Sequence, residues 1–104
     1  MNIHNKGTLR DYWLKHSRSK DALENWYSDV LSKSWKKPND VKRDYAFASI
    51  IGNNRVVFNI KGNDFRLIVE FNYAKGWAFI KFIGTHAEYD KINAETVNLY
   101  GKKK

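Results

Sequence analysis

Residues 58–92, FNIKGNDFRLIVEFNYAKGWAFIKFIGTHAEYDKI, decide the fold of this chain. Just ahead of and within this stretch, Val56, Phe58 and Ile60 recur at every second position, and so do Phe65, Leu67, Val69 and Phe71. Trp77, Phe79 and Ile83 follow, with Ala78, Ile80 and Phe82 interleaved. A period of two is the signature of a strand with one buried face. Gly62-Asn63-Asp64 and Ala74-Lys75-Gly76 interrupt the runs with turn residues. The pattern predicts a three-stranded antiparallel meander. It places Lys61 and Arg66 at one turn and delivers His86 and Tyr89 just past the last strand.

Upstream, the period changes. Leu9, Tyr12, Trp13 and His16 follow helical spacing, and Leu23, Trp26, Tyr27, Val30 and Leu31 make a stronger apolar stripe. Ser17-Arg18-Ser19 separates the two, with Ser19 placed to cap a helix that opens with Asp21 and Glu24. Pro38 closes anything helical near Lys36-Lys37, and 39–48 reads as a connecting loop with room for one short turn of helix. Phe47 to Ile51 is a candidate short strand before the turn at Gly52-Asn53-Asn54. A short closing helix is expected within 88–100. The expected architecture is α+β, with two N-terminal helices (about 6–34) on one face of a three- to four-stranded antiparallel sheet (about 47–84). A short C-terminal element and a basic tail occupy 88–104.

At 104 residues the chain supports a single domain spanning 1–104. Such a domain buries about 65% of its unfolded surface, and the 15% aromatic content supplies large apolar areas from few positions. Without cysteine, disulfides and thiolate chemistry are excluded. The first residues lack the apolar core of a signal peptide, and no run reaches membrane-spanning length, so a cytoplasmic protein with no membrane partner is expected. The net charge of +8 favours polyanionic partners. Lys33, Lys36, Lys37, Lys42 and Arg43 crowd one segment around Asp40, and Lys102 to Lys104 end the chain.

Side-chain chemistry narrows the function. The eleven acidic residues are scattered, Glu88 and Asp90 being the one close pair near the sheet, and His4, His16 and His86 lack ligand spacing. The six glycines sit singly, so no phosphate-cradling loop is present. No metal and no cofactor are therefore expected. What the sheet collects is Lys61, Arg66, His86 and Tyr89. Metal-free RNA cleavage needs a proton acceptor for the 2′-hydroxyl, cations for the crowded phosphorane and a donor for the departing 5′ oxygen. Imidazole titrates near neutrality and serves as acid or base. A tyrosine needs cationic neighbours to act as a base. Arginine offers a planar fork for phosphate, and lysine a point charge. Arg66 alternates away from Phe65, Leu67 and Val69. With that face covered by the helices, it projects toward the opposite, more open side, with Lys61 its neighbour across the turn.

The runs Phe58-Asn59-Ile60-Lys61-Gly62-Asn63, Phe65-Arg66-Leu67-Ile68-Val69 and Phe82-Ile83-Gly84-Thr85-His86-Ala87-Glu88-Tyr89-Asp90, in this order and spacing, resemble the HigB branch of RelE-like mRNA interferases. These are toxins of bacterial toxin–antitoxin pairs. The resemblance implies a metal- and cofactor-free endoribonuclease that cleaves mRNA on the ribosome and is inhibited by a cognate helix-turn-helix antitoxin (HigA-like). It assigns the scissile phosphate to Arg66, adjacent charge to Lys61, and acid–base chemistry to His86 and Tyr89, either of which could be the base. The segment holding Lys36, Lys37 and Lys42 lies outside that face and is expected to dock on RNA. A different class remains open: a non-catalytic single-stranded RNA- or ribosome-binding module with Trp77, Phe79 or Phe82 as stacking platform. A protein-binding adaptor is a third.

Overall fold

The computed structural model describes residues 1–98; Tyr100 and the Lys102–Lys104 tail lie outside the described residues. Within them the chain runs β1 (Asn2–His4), α1 (Lys6–Lys15), a 3-10 turn (Ser17–Ser19), α2 (Lys20–Leu31), α3 (Pro38–Asp44), β2 (Ser49–Ile51), β3 (Arg55–Ile60), β4 (Phe65–Asn72), β5 (Trp77–Thr85) and α4 (His86–Tyr89). The strands form one sheet in the order β1-β5-β4-β3-β2. Pairing is antiparallel except between β1 and β5, which run parallel. The α+β class and the meander at β3–β5 match expectation. The sheet is five-stranded and mixed, because three residues at Asn2–His4 are too few to show a period and yet add a parallel edge.

The helices cover one sheet face. Leu9 and Trp13 of α1 and Leu23, Trp26 and Val30 of α2 are buried with Val56, Phe58, Ile60, Phe65, Leu67, Val69, Phe71, Ala78, Ile80 and Ile83. Burying each such large side chain is worth about 1.5–3 kcal/mol, so this layer supplies most of the apolar driving force. Ser19 occupies the N-cap position of α2, but its hydroxyl donates to the His16 carbonyl at 2.7 Å instead of capping the helix. His16 itself falls outside α1 and is exposed.

Three departures from expectation matter for the site. Pro38 begins a helix of seven residues where a loop holding at most one short helical turn was expected. Proline at the first helical position loses no hydrogen bond; Asp40 in the first turn and Lys42 and Arg43 in the last suit the helix dipole, and Val41 anchors the turn in the core. Second, the β4–β5 register slips between Ile68 and Val69: Ile68 pairs with Phe82 and Val69 with Ile80, leaving Lys81 as the extra residue of a bulge. The bulge reverses the facing of β5 beyond it. Ile83 therefore joins Ala78 and Ile80 in the helix-covered core, and Phe82 turns to the other face.

Third, that other face is not open throughout. Residues after β5 double back over it, and Tyr89, Ile92, Ala94 and Val97 pack on Val57, Ile68 and Phe82. Arg55, only 5% exposed, holds this segment down. Its guanidinium donates to the carbonyls of Ala94 (3.0 Å) and Val97 (2.6 Å) and pairs with Glu70 at 3.0 Å. The expected C-terminal helix is thus a single turn, His86–Tyr89, followed by turns shaped by packing and by Arg55. No helix among the described residues is long and apolar enough to cross a membrane.

Candidate active site

Arg66 stands on β4 opposite Asn59 of β3 and Gly84 of β5. Register places it on the face away from α1 and α2, yet it is only 9% exposed, because α4 folds across it. The expectation of an open position is corrected accordingly. Its guanidinium donates to the Phe65 carbonyl at 3.2 Å and to Asn63 Oδ1 at 3.3 Å, and lies 6.0 Å from the centre of the Tyr89 ring. Among the described residues it forms no ion pair; Glu70, its nearest carboxylate along β4, is committed to Arg55. A buried cation without an anion is costly, and an incoming phosphate oxygen would relieve that cost.

Gly84 makes the close approach of α4 possible. A Cβ there would fall 2.7 Å from the Phe82 ring and 2.8 Å from Glu88 Oε1. That same carboxylate accepts from Thr85 N at 2.8 Å, while Thr85 Oγ1 accepts from Glu88 N at 3.1 Å. This reciprocal capping box fixes a four-residue helix too short to persist alone. His86 opens it, its backbone nitrogen donating to the Asp64 carbonyl at 3.2 Å. The imidazole is half exposed, with Nδ1 3.2 Å from Asp90 Oδ2. A neutral ring donating Nδ1–H to that carboxylate presents Nε2 as an acceptor. Tyr89, one turn on, is half-buried between the apolar cluster and Arg66.

Arg66 and Tyr89 are thus in contact, and His86 starts the same helical turn as Tyr89. Lys61 is placed differently. It is exposed in a left-handed conformation (φ 54°) and lines a recess of about 340 Å³ with Asn25, Asp29 and Tyr45, on the α2 side. Its loop reaches Arg66 through Asn63 instead, a residue whose sequence context marks only a turn former. Asp90 and Arg55 also escape a reading of the sequence; the i, i+4 spacing from His86 to Asp90 is the available signal for the first.

In the basic segment, Lys36 and Lys37 are exposed at the start of α3. Lys42 donates its ammonium to the carbonyls of Ala46 (2.7 Å) and Ala48 (2.8 Å). Lys33 pairs with Asp29 and Asp44, and Arg43 with Asp40 and Asp44. Hydrogen bonds from Arg43 and then Trp35 hold the Asp44 carboxyl down at about 2. Much of the apparent charge of this cluster is therefore internally paired. No three His, Cys, Asp or Glu side chains among the described residues gather so as to hold a metal ion.

A family model for the HigB toxin, the RelE-like toxic component of a toxin–antitoxin system, matches residues 19–92. The chain belongs to the HigB toxin family. The match takes in α2 to α4 and every candidate residue from Lys36 to Tyr89, while β1 and α1 lie outside it. The chain is also similar to the mRNA interferase HigB of Escherichia coli O6:H1 (strain CFT073), with 27% identity over 96 residues covering 88% of this chain and 91% of the relative. As a HigB-type toxin it is one half of a toxin–antitoxin pair, which implies an antitoxin as its counterpart.

Proposed function

We propose that this chain is a metal-independent endoribonuclease that cleaves mRNA on translating ribosomes, and that a helix-turn-helix antitoxin restrains it in the cytoplasm. The observation that carries the reading is Arg66, a buried guanidinium with no carboxylate partner among the described residues, beside Tyr89 and the exposed His86. The name of the Escherichia coli relative supports the substrate class. The side-chain set supports a route without a metal, since the groups gathered here are cationic, imidazole and phenol.

In the proposed reaction the substrate's 2′-hydroxyl attacks the adjacent phosphorus. His86 Nε2 takes the 2′ proton, with Asp90 holding the ring in the accepting tautomer. Arg66 binds the equatorial oxygens where charge develops, a contribution of the kind worth about 10²–10³ in rate. The bond from phosphorus to the 5′ oxygen breaks, that oxygen takes a proton from solvent water, and the products are a 2′,3′-cyclic phosphate and a 5′-hydroxyl. Tyr89 positions Arg66 through its ring, and Asn63 fixes the other side of the fork. Lys36 and Lys37 add attraction to the RNA backbone. Lys42 acts at a distance by bracing the loop after α3.

End-group analysis of cleaved mRNA tests this. Cyclic phosphate and 5′-hydroxyl termini, appearing only on translated messages, are expected. Activity lost on chelation and restored to the enzyme alone by manganese or cobalt, with 5′-phosphate products, would replace the metal-free route by activation of water on a metal.

A further inference from the structure

The face opposite α1 and α2 has a second, different region. The C-terminal segment covers Val57, Ile68 and Phe82, but neither apolar cluster includes His4, Trp77 or Phe79. β1 runs parallel to β5 with His4 opposite Phe79, which gathers three aromatic rings at this corner. His4 stacks on Phe79 with centroids 4.7 Å apart and meets the edge of Trp77 at 5.8 Å; Trp77 and Phe79 are perpendicular at 6.0 Å. All three are partly exposed. Lys75 Nζ lies 4.6 Å from the Trp77 centroid, and Lys81, displaced by the bulge, lies 5.8 Å from that of Phe79. The nearest acid across the strands, Glu70, is engaged by Arg55 at 3.0 Å, so it leaves the two ammonium groups uncancelled. A recess of about 410 Å³ reaches this corner, lined by Glu70, Asn72 and Phe79 among others.

We infer that His4, Trp77 and Phe79, with Lys75 and Lys81, form a base-stacking subsite for single-stranded RNA. It rests on the proposed RNA-cleaving function and extends it: the subsite lies along β5 from Gly84, the register partner of Arg66, at about 20 Å given the rise of a strand. It therefore grips the message several nucleotides from the scissile phosphate. Aromatic faces take bases of any sequence, and neighbouring lysines take the phosphates between them. The rings already brace one another, so little order is lost on binding.

Trp77 makes the proposal readable by fluorescence. Trp13, Trp26 and Trp35 are buried, leaving Trp77 as the tryptophan a base can reach. The probe is a short 2′-O-methyl oligouridylate, which binds as RNA but lacks the nucleophile and cannot be cut. Titrating it should quench part of the tryptophan emission, and the quench should vanish in Trp77→Leu. Trp77→Leu should bind about tenfold more weakly, within what one base–aromatic stack supplies. Lys75→Gln, at an exposed turn position that tolerates change, should bind several-fold more weakly with a shallower salt dependence. Arg66→Ala should keep the quench while losing cleavage of unblocked RNA, so a failure of the cleavage reading and a failure of this one give different results. Absence of quenching in the wild type, or undiminished affinity in both Trp77→Leu and Lys75→Gln, overturns the subsite.

Discussion

At the scale of single residues, the proposed chemistry divides between one proton acceptor and groups that place a cation. His86 faces solvent with Nδ1 on Asp90, whereas Tyr89 spends its ring on Arg66 and the apolar cluster. His86→Gln should therefore lower cleavage by about 10²–10⁴, the usual share of general acid–base catalysis. Tyr89→Phe, which keeps the ring, should stay within about tenfold of wild type, and Tyr89→Ala should not. Single-turnover rates on a defined message check the order; a Tyr89→Phe protein as inactive as His86→Gln would move the base to the phenol. The placement of Arg66 on the face away from α1 and α2, and of His86 and Tyr89 just past the last strand, was legible in the sequence because alternation along β4 fixes a side chain's face and turn residues locate the strand ends. The partners of Arg66 and His86 were not. Asn63 and Asp90 look like a turn former and a surface acid until the fold brings each to its neighbour.

At the scale of elements, the short C-terminal turn and the segment behind it depend on the sheet beneath them. Arg55 donates hydrogen bonds to the carbonyls of Ala94 and Val97, and Gly84 leaves room for Glu88 to close the capping box. Arg55→Met should lower stability by about 2 kcal/mol, the cost of orphaning two partly buried carbonyls and the Glu70 carboxylate, seen as a lower midpoint of chemical denaturation and a fall in Tm. Gly84→Ala should release α4 and depress cleavage with a smaller loss of global stability, read as faster amide exchange at Glu88 alongside a modest Tm change. Neither element could be read in full from the chain. The alternation over β5 predicts Ile83 beside Trp77 and Phe79, and only the Lys81 bulge, which depends on pairing with β4, moves it to the core. Likewise Pro38 carries two opposite meanings, stop or start, and buried Val41 selects the second.

At the scale of the whole molecule, the +8 charge is unevenly available. Lys33, Lys42 and Arg43 are held by Asp29, Asp40, Asp44 and backbone carbonyls, so Lys36 and Lys37 carry what the α3 segment offers to RNA. Lys36→Glu/Lys37→Glu should weaken binding to ribosomes and reduce the log–log salt slope by about 0.7 for each phosphate no longer neutralised, with the rate at saturation unchanged. Lys42→Glu should destabilise the fold instead. The two layers, helices on one face and a folded-back segment on the other, leave Arg66 largely buried and without an ion pair among the described residues, and the central claim is that this unpaired cation waits for a phosphate. The direct measurement is cleavage rate and unfolding free energy for Arg66→Ala in one preparation. A loss of about 10²–10³ in rate with stability unchanged or raised is predicted, since an unpaired buried charge has been removed. A protein that still cleaves at the wild-type rate but unfolds far more easily would show Arg66 to be a structural residue, and would contradict the account.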